Sequence, residues 1–202
     1  MMDSTSPAAP ASGSDDDRDL SLMRRIALGD TAALEELVEI HQHAVTGTVV
    51  KMLGNVADAE DVAQQVFVRI WRSAARYQPS AKFTTWLFTI TRNLVFNEVR
   101  RRQRKPAISL EEREEQHFAI TSIDGEMKPD QSALHAELEA AVEAAIQRLP
   151  EKQRLAVVLR RYQELPYEEI GEILGLSIPA VKSVLFRARA QLKEDLQKYL
   201  DA

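Results

Sequence analysis

No cysteine occurs in the 202 residues, so a disulfide framework and a thiolate metal site are both excluded. No apolar run approaches the length of a membrane span, and the first residues lack the apolar core of a secretory signal. The expectation is a cytosolic protein without membrane insertion. There is no Gly-rich phosphate loop and no nucleophile motif, so neither an enzyme with catalytic residues nor a cofactor is expected. The four histidines form no metal-ligand set. His41 and His43 are two apart on an expected helix and point to nearly opposite faces. Aromatic residues are few, at 6%, and glycines number only seven. What remains is 45% apolar, enough for a core, and rich in Ala, Leu, Glu and Arg with long stretches of 3.6-residue period. The class expected is all-α.

Positive charge is short overall, with a net charge of −5, but the two signs are segregated. Arg100, Arg101, Arg102, Arg104 and Lys105 form a basic block. Between Pro106 and Glu143 ten acidic residues face only Arg113 and Lys128. From Ile178 to Lys193 there are four basic residues and no acidic one. A polyanion responds to the local field, so the global sign does not exclude nucleic acid.

The stretch Pro166 to Lys193, PYEEIGEILGLSIPAVKSVLFRARAQLK, is the most informative. Ile170 and Leu174 share one helical face. Gly175 fits a left-handed C-cap, Ser177 an N-cap, and Pro179 the first turn of a second helix. Gly171 is unfavourable in a helix interior unless a second helix crosses closely there, as in a helix-turn-helix. The second helix turns Val181, Leu185, Ala188 and Leu192 inward and leaves Lys182, Ser183, Phe186, Arg187 and Arg189 outside or on the flanks. This is the pattern of a helix-turn-helix whose second helix enters a DNA groove.

Along the chain, residues 1–17 read as a disordered tail. Helices follow from Asp19 to Leu28, from Asp30 or Thr31 to about Leu53, from an Asp58 cap to about Arg76, and from Thr84 to about Lys105. Pro79 marks a loop over 77–82. Residues 106–131 hold Pro106, Gly125 and Pro129 among many acids and read as an acidic linker. Helices from about Ser132 to Leu149 and over 150–162 precede the helix-turn-helix. Two small helical domains, 18–105 and 132–202, are expected.

Three segments in this order resemble one family. AEDVAQQVFVRIW (Ala59 to Trp71) is similar to its polymerase-binding segment. KFTTWLFTITRNLVFNEVRRRQR (Lys82 to Arg104) is similar to its −10 promoter segment. LPEKQRLAVVLRRYQELPYEEIG with the helix-turn-helix is similar to its −35 segment. The family is the extracytoplasmic-function (ECF) group of bacterial RNA polymerase sigma factors, and the likeness runs from about Leu20 to Leu196. It implies a region 2 domain and a region 4 domain. It implies binding to core RNA polymerase, at the β′ clamp helices and the β flap, and to promoter DNA. An anti-sigma factor is a further implied partner.

The resemblance places polymerase contacts on Asp61, Gln64 and Gln65, opposite the inward Val62, Val66 and Ile70. It places −10 contacts on Tyr77, Lys82, Phe83, Arg92, Asn93, Asn97, Arg100 and Arg101, an aromatic and basic set suited to single-stranded DNA. Phe83 and Trp86 also fit a core, Trp86 more so. Contacts to −35 DNA fall to Lys182, Ser183, Phe186, Arg187 and Arg189. Val184 stands where the family often has Arg, and packs inward beside Leu185. The other reading is a free-standing helix-turn-helix regulator that binds duplex DNA as a symmetric dimer.

Overall fold

The computed structural model describes residues 12–104 and 129–200, and every regular element among them is helical. The first unit contains α1 (Ser12–Ala27), α2 (Thr31–Leu53), α3 (Val56–Ser73), a 3-10 turn (Ala74–Arg76) and α4 (Phe83–Arg104). Local chemistry sets most of these ends. Asp30 accepts the Ala33 N–H at 3.1 Å and starts α2. Gly54 ends it at φ 70, a left-handed conformation that a side chain would strain. The cap of α3 is Asn55, which accepts the Asp58 N–H at 3.1 Å. The expected cap, Asp58, instead lies in the first turn of α3. Asn55 directly follows the Gly54 reversal and has the extended backbone that a cap needs.

Ala59, Val62, Ala63, Val66, Phe67 and Ile70 form the buried stripe of α3, which packs on α2 and α4. Leu22, Met23 and Ile26 hold α1 on the same core. Because α1 begins at Ser12, residues 12–17 are helical and do not belong to the expected tail. Asp15 sits in its first turn, where negative charge suits the helix dipole.

The second unit contains α5 (Pro129–Arg148), α6 (Glu151–Arg161), α7 (Tyr167–Leu174), α8 (Ile178–Asp195) and the short α9 (Gln197–Leu200). The acidic linker expected over 106–131 lies outside the described residues, except that 129–131 open α5. Between α7 and α8, Gly175 takes φ 65 and the Leu176 N–H reaches the Gly171 carbonyl at 2.8 Å. Gly171 is required by this turn. A Cβ there would lie 2.7 Å from the Leu176 carbonyl oxygen, closer than the 3.7 Å to Val181 of the crossing helix. Ser177 stands at the N-cap of α8 with extended backbone, but its side chain makes no capping bond. Ile170, Ile173, Leu174, Val181 and Leu185 close the core of the helix-turn-helix with Leu155 and Leu159 of α6.

The two units lie against each other, α4 on α7 and α2 on α5 and α6. The last carbonyls of α2 show how. Val50 accepts from the Gly54 N–H, Lys51 from Gln147 at 2.7 Å, Met52 from Arg154 at 2.6 Å and Leu53 from Arg102 at 3.0 Å. A helix leaves these groups without intrahelical partners, and here two are satisfied by the other unit.

Candidate nucleic-acid and polymerase interfaces

Helix α8 separates its faces as its sequence suggests. Val181, Leu185 and Ala188 are buried, and Val184 is half-buried against the core. Lys182, Ser183, Phe186, Arg187 and Arg189 are all exposed. At 3.6 residues per turn these five occupy about 160° of the circumference. Phe186 is 73% exposed, so it is not part of the core. Arg187 donates to the Ser183 hydroxyl at 3.0 Å, so Ser183 orients the guanidinium as well as facing outward.

The set expected for −10 DNA is divided. Lys82, Asn93, Asn97, Arg100 and Arg101 are exposed. Asn97, Arg100, Arg101 and Arg104 line one shallow concavity open to solvent, a surface suited to a phosphate chain. Glu98 grips Arg101 through two 2.6 Å bonds and Arg102 through one of 3.1 Å. The hydrogen bond from Arg101, then that from Arg102, holds the Glu98 carboxyl below its usual range against the opposing effect of burial. Arg102 turns back to Asp58 and the Leu53 carbonyl and is a structural residue.

Phe83 is not a surface residue. It is fully buried, with His41 at 5.2 Å, Tyr77 at 6.2 Å and Trp86 at 5.8 Å between ring centroids. Burying such a ring stabilises the fold by about 1.5–3 kcal/mol, so exposure to DNA would be costly. Its role is to shape the loop before α4. Tyr77 is half-buried, its ring 4.6 Å from Trp86. Its hydroxyl is buried without a hydrogen-bond partner among the described residues. Burial first, then Asp16 and Asp19, pushes the phenol pKa up, so the hydroxyl stays protonated. Arg92 donates to Asn93 at 2.7 and 3.1 Å and to the Ile173 carbonyl at the end of α7. Partial burial lowers its pKa while leaving it a cation.

On α3, Asp61, Gln64 and Gln65 are exposed on one side. Val68 and Trp71, 48% and 36% exposed, continue that side. Their helical spacing could have signalled this, but an apolar residue in the sequence reads first as core.

Sequence reasoning did not find the residues that join the units. Glu169 of α7 is buried, paired with Lys82 at 2.8 Å and accepting from Thr85 at 3.3 Å. Arg154 donates to the carbonyls of Met52, Leu149 and Gln147. Neither has a local sequence signal. Glu169 sits in a helix first turn where any acid is favourable, and Arg154 is one basic residue among several.

Comparison with known proteins assigns the family. Residues 37–105 match Sigma-70 region 2, and residues 139–192 match Sigma-70, region 4. The chain is 33% identical over 189 residues to the RNA polymerase sigma-H factor of Pseudomonas aeruginosa, covering 91% of this chain and 96% of that one. It is 30% identical over 178 residues to the ECF RNA polymerase sigma factor SigW of Bacillus subtilis, covering 87% and 95%. The solved structure of the sigma factor RpoE in complex with the anti-sigma factor NepR from Bartonella quintana has the same fold. It superposes with a TM-score of 0.63 at 23% identity, over 81% of this chain and 96% of that one. Two helical units with an exposed basic recognition helix, matched in this order, define a transcription initiation factor. The chain belongs to the ECF group of RNA polymerase sigma factors and directs promoter-specific transcription initiation. No helix among the described residues is long and apolar enough to cross a membrane.

Proposed function

We propose that the two units divide promoter recognition between them. The first, with residues 18–105 at its centre, docks on the β′ clamp helices through Asp61, Gln64 and Gln65, with Val68 and Trp71 widening the contact. It holds single-stranded −10 DNA along Lys82, Arg92, Asn93, Asn97, Arg100 and Arg101. Tyr77 and Phe83 support the loop. The second, over 132–202, sits at the β flap and lays α8 in the major groove of the −35 element, where Lys182, Ser183, Phe186, Arg187 and Arg189 make the contacts. Residues 106–128 connect the two in sequence. The protein makes and breaks no covalent bond itself, and it works in the cytoplasm with the polymerase. An anti-sigma factor is its natural antagonist, as the Bartonella quintana complex suggests, and competes for the polymerase-binding faces.

The observation that carries this reading is the division of α8 into a buried apolar stripe and an exposed face of one aromatic, one hydroxyl and three basic residues. Reconstitution with core polymerase tests it. Replacing Asp61, Gln64 and Gln65 together by alanine should leave the fold intact, since exposed changes usually cost within about 0.5 kcal/mol each. It should abolish polymerase capture and promoter-dependent transcription. A folded triple variant with unchanged polymerase affinity would remove the α3 face from the interface.

A further inference from the structure

Lys82 and Thr85 converge on a single anion. The Lys82 Nζ lies 2.8 Å from one Glu169 carboxylate oxygen, and the Thr85 hydroxyl donates to the other at 3.3 Å. The Glu169 side chain is only 11% exposed. A carboxylate and a phosphodiester present the same thing to such donors, negatively charged acceptor oxygens. Seven residues along α4 from Thr85, on the same face, Arg92 points at the other end of α7 and donates to the Ile173 carbonyl. The first helix of the helix-turn-helix therefore engages a line of DNA-competent groups on α4, with the Lys82 side chain still 48% exposed. The recognition face of α8 stays open.

We propose that Lys82 and Thr85 form one anion site with two alternative occupants. In the free protein the occupant is the Glu169 carboxylate. In the initiation complex it is a backbone phosphate of the single-stranded −10 DNA. The inference rests on the reading of Lys82 as a −10 contact and adds Thr85 to that surface. Binding of the phosphate and closure of the two units are mutually exclusive, so α7 acts as a removable cover. Buried apolar residues of both units share one core, and further contacts between the units are polar. They include Lys51 with Glu143, Gln163 with Thr48 at 3.2 Å and Gln147 with the Lys51 carbonyl, polar bonds that water can replace. While Glu169 occupies the site it raises the Lys82 pKa, chiefly through its hydrogen bond.

The test uses the full chain and a fluorescein-labelled single-stranded −10 oligonucleotide. Glu169→Gln preserves size and removes the charge. It should tighten oligonucleotide binding by about fivefold or more, the lower range of coupling between linked sites. Affinity for −35 duplex should not change, which shows that the second unit is folded. Unchanged oligonucleotide affinity with intact −35 binding overturns the cover. In the Glu169→Gln background, Thr85→Val should lower oligonucleotide affinity severalfold, and no change removes Thr85 from the site. The absence of native cysteine allows a second measurement that needs no change at Glu169. Dyes placed by Glu35→Cys and Lys193→Cys should lose energy transfer when the oligonucleotide saturates the protein, and constant transfer at saturation also overturns the cover. The underlying reading fails separately: if holoenzyme carrying Lys82→Ala binds and opens −10 DNA normally, Lys82 is not a −10 contact, whatever Glu169 does.

Discussion

Asp16 of α1 accepts the backbone N–H of Phe83 at 2.9 Å, although the two residues are 67 positions apart. Phe83 is the first residue of α4, and Lys82, which precedes it, has no acceptor for a cap. The carboxylate that the helix lacks locally comes from another helix, where it also meets the positive end of the α4 dipole. Asp16→Ala should destabilise the protein by about 1 kcal/mol, and Asp16→Asn by less because an amide oxygen still accepts. Urea denaturation of both variants, with unchanged slope, checks this. Equal losses would mean that charge, and not the hydrogen bond, matters.

On α8, Arg187→Ala should weaken −35 binding by about 1–3 kcal/mol and relax preference at one or two base pairs. Arg189→Ala should act evenly across sequences and reduce the salt dependence of binding. Ser183→Ala should imitate Arg187→Ala in a smaller degree, because its hydroxyl accepts from that guanidinium. A panel of −35 variants at two salt concentrations separates these effects. Equal loss on every sequence for Arg187→Ala would assign it to positioning, with specificity left to Lys182, Ser183, Phe186 or DNA shape.

The turn of the helix-turn-helix should tolerate no side chain at Gly171. The added Cβ of Gly171→Ala meets a backbone oxygen at 2.7 Å, so the chain and not a flexible side chain must move. The expected cost is about 1–3 kcal/mol, together with loss of −35 affinity. Thermal denaturation and duplex binding measure both. An alanine variant of undiminished stability would show that the turn relaxes freely.

Stability should also depend on acid through Glu98. Its carboxyl pKa is lowered in the folded protein, first by Arg101 and then by Arg102. A lowered carboxylate contributes stability that is complete above its unfolded value and is lost as pH falls through the folded one. The difference between the native chain and Glu98→Gln should therefore be largest near neutral pH and vanish in acid, when both side chains are uncharged. Denaturation midpoints from neutral pH to about pH 3 report it. A constant difference over that range would contradict the role of charge.

The features that could be read in advance are those set within one or two turns of chain. Gly54 and Gly175 stop helices because each can take a left-handed backbone, and Asp30 starts one because its own carboxylate reaches three residues on. The exposed face of α8 follows from its apolar period, and so does the outward set Asp61, Gln64 and Gln65 on α3. Asn55 and Asp58 both suit the cap of α3, and backbone conformation, which local sequence does not show, selects Asn55.

Recognition-helix face, helix order and division into two units were thus determined by the sequence itself, through propensity, capping and periodicity. Burial of Phe83, capping of α4 by Asp16, and the pairing of Lys82, Thr85 and Arg92 with α7 were decided only by tertiary structure. Each depends on a side chain brought from a distant helix: Asp16 from 67 positions away, Glu169 from 84, Ile173 from 81. Composition and period say that a polar group will find a partner. Only packing chooses which one, because the energy of the pair is realised when the helices meet and leaves no mark on either local segment.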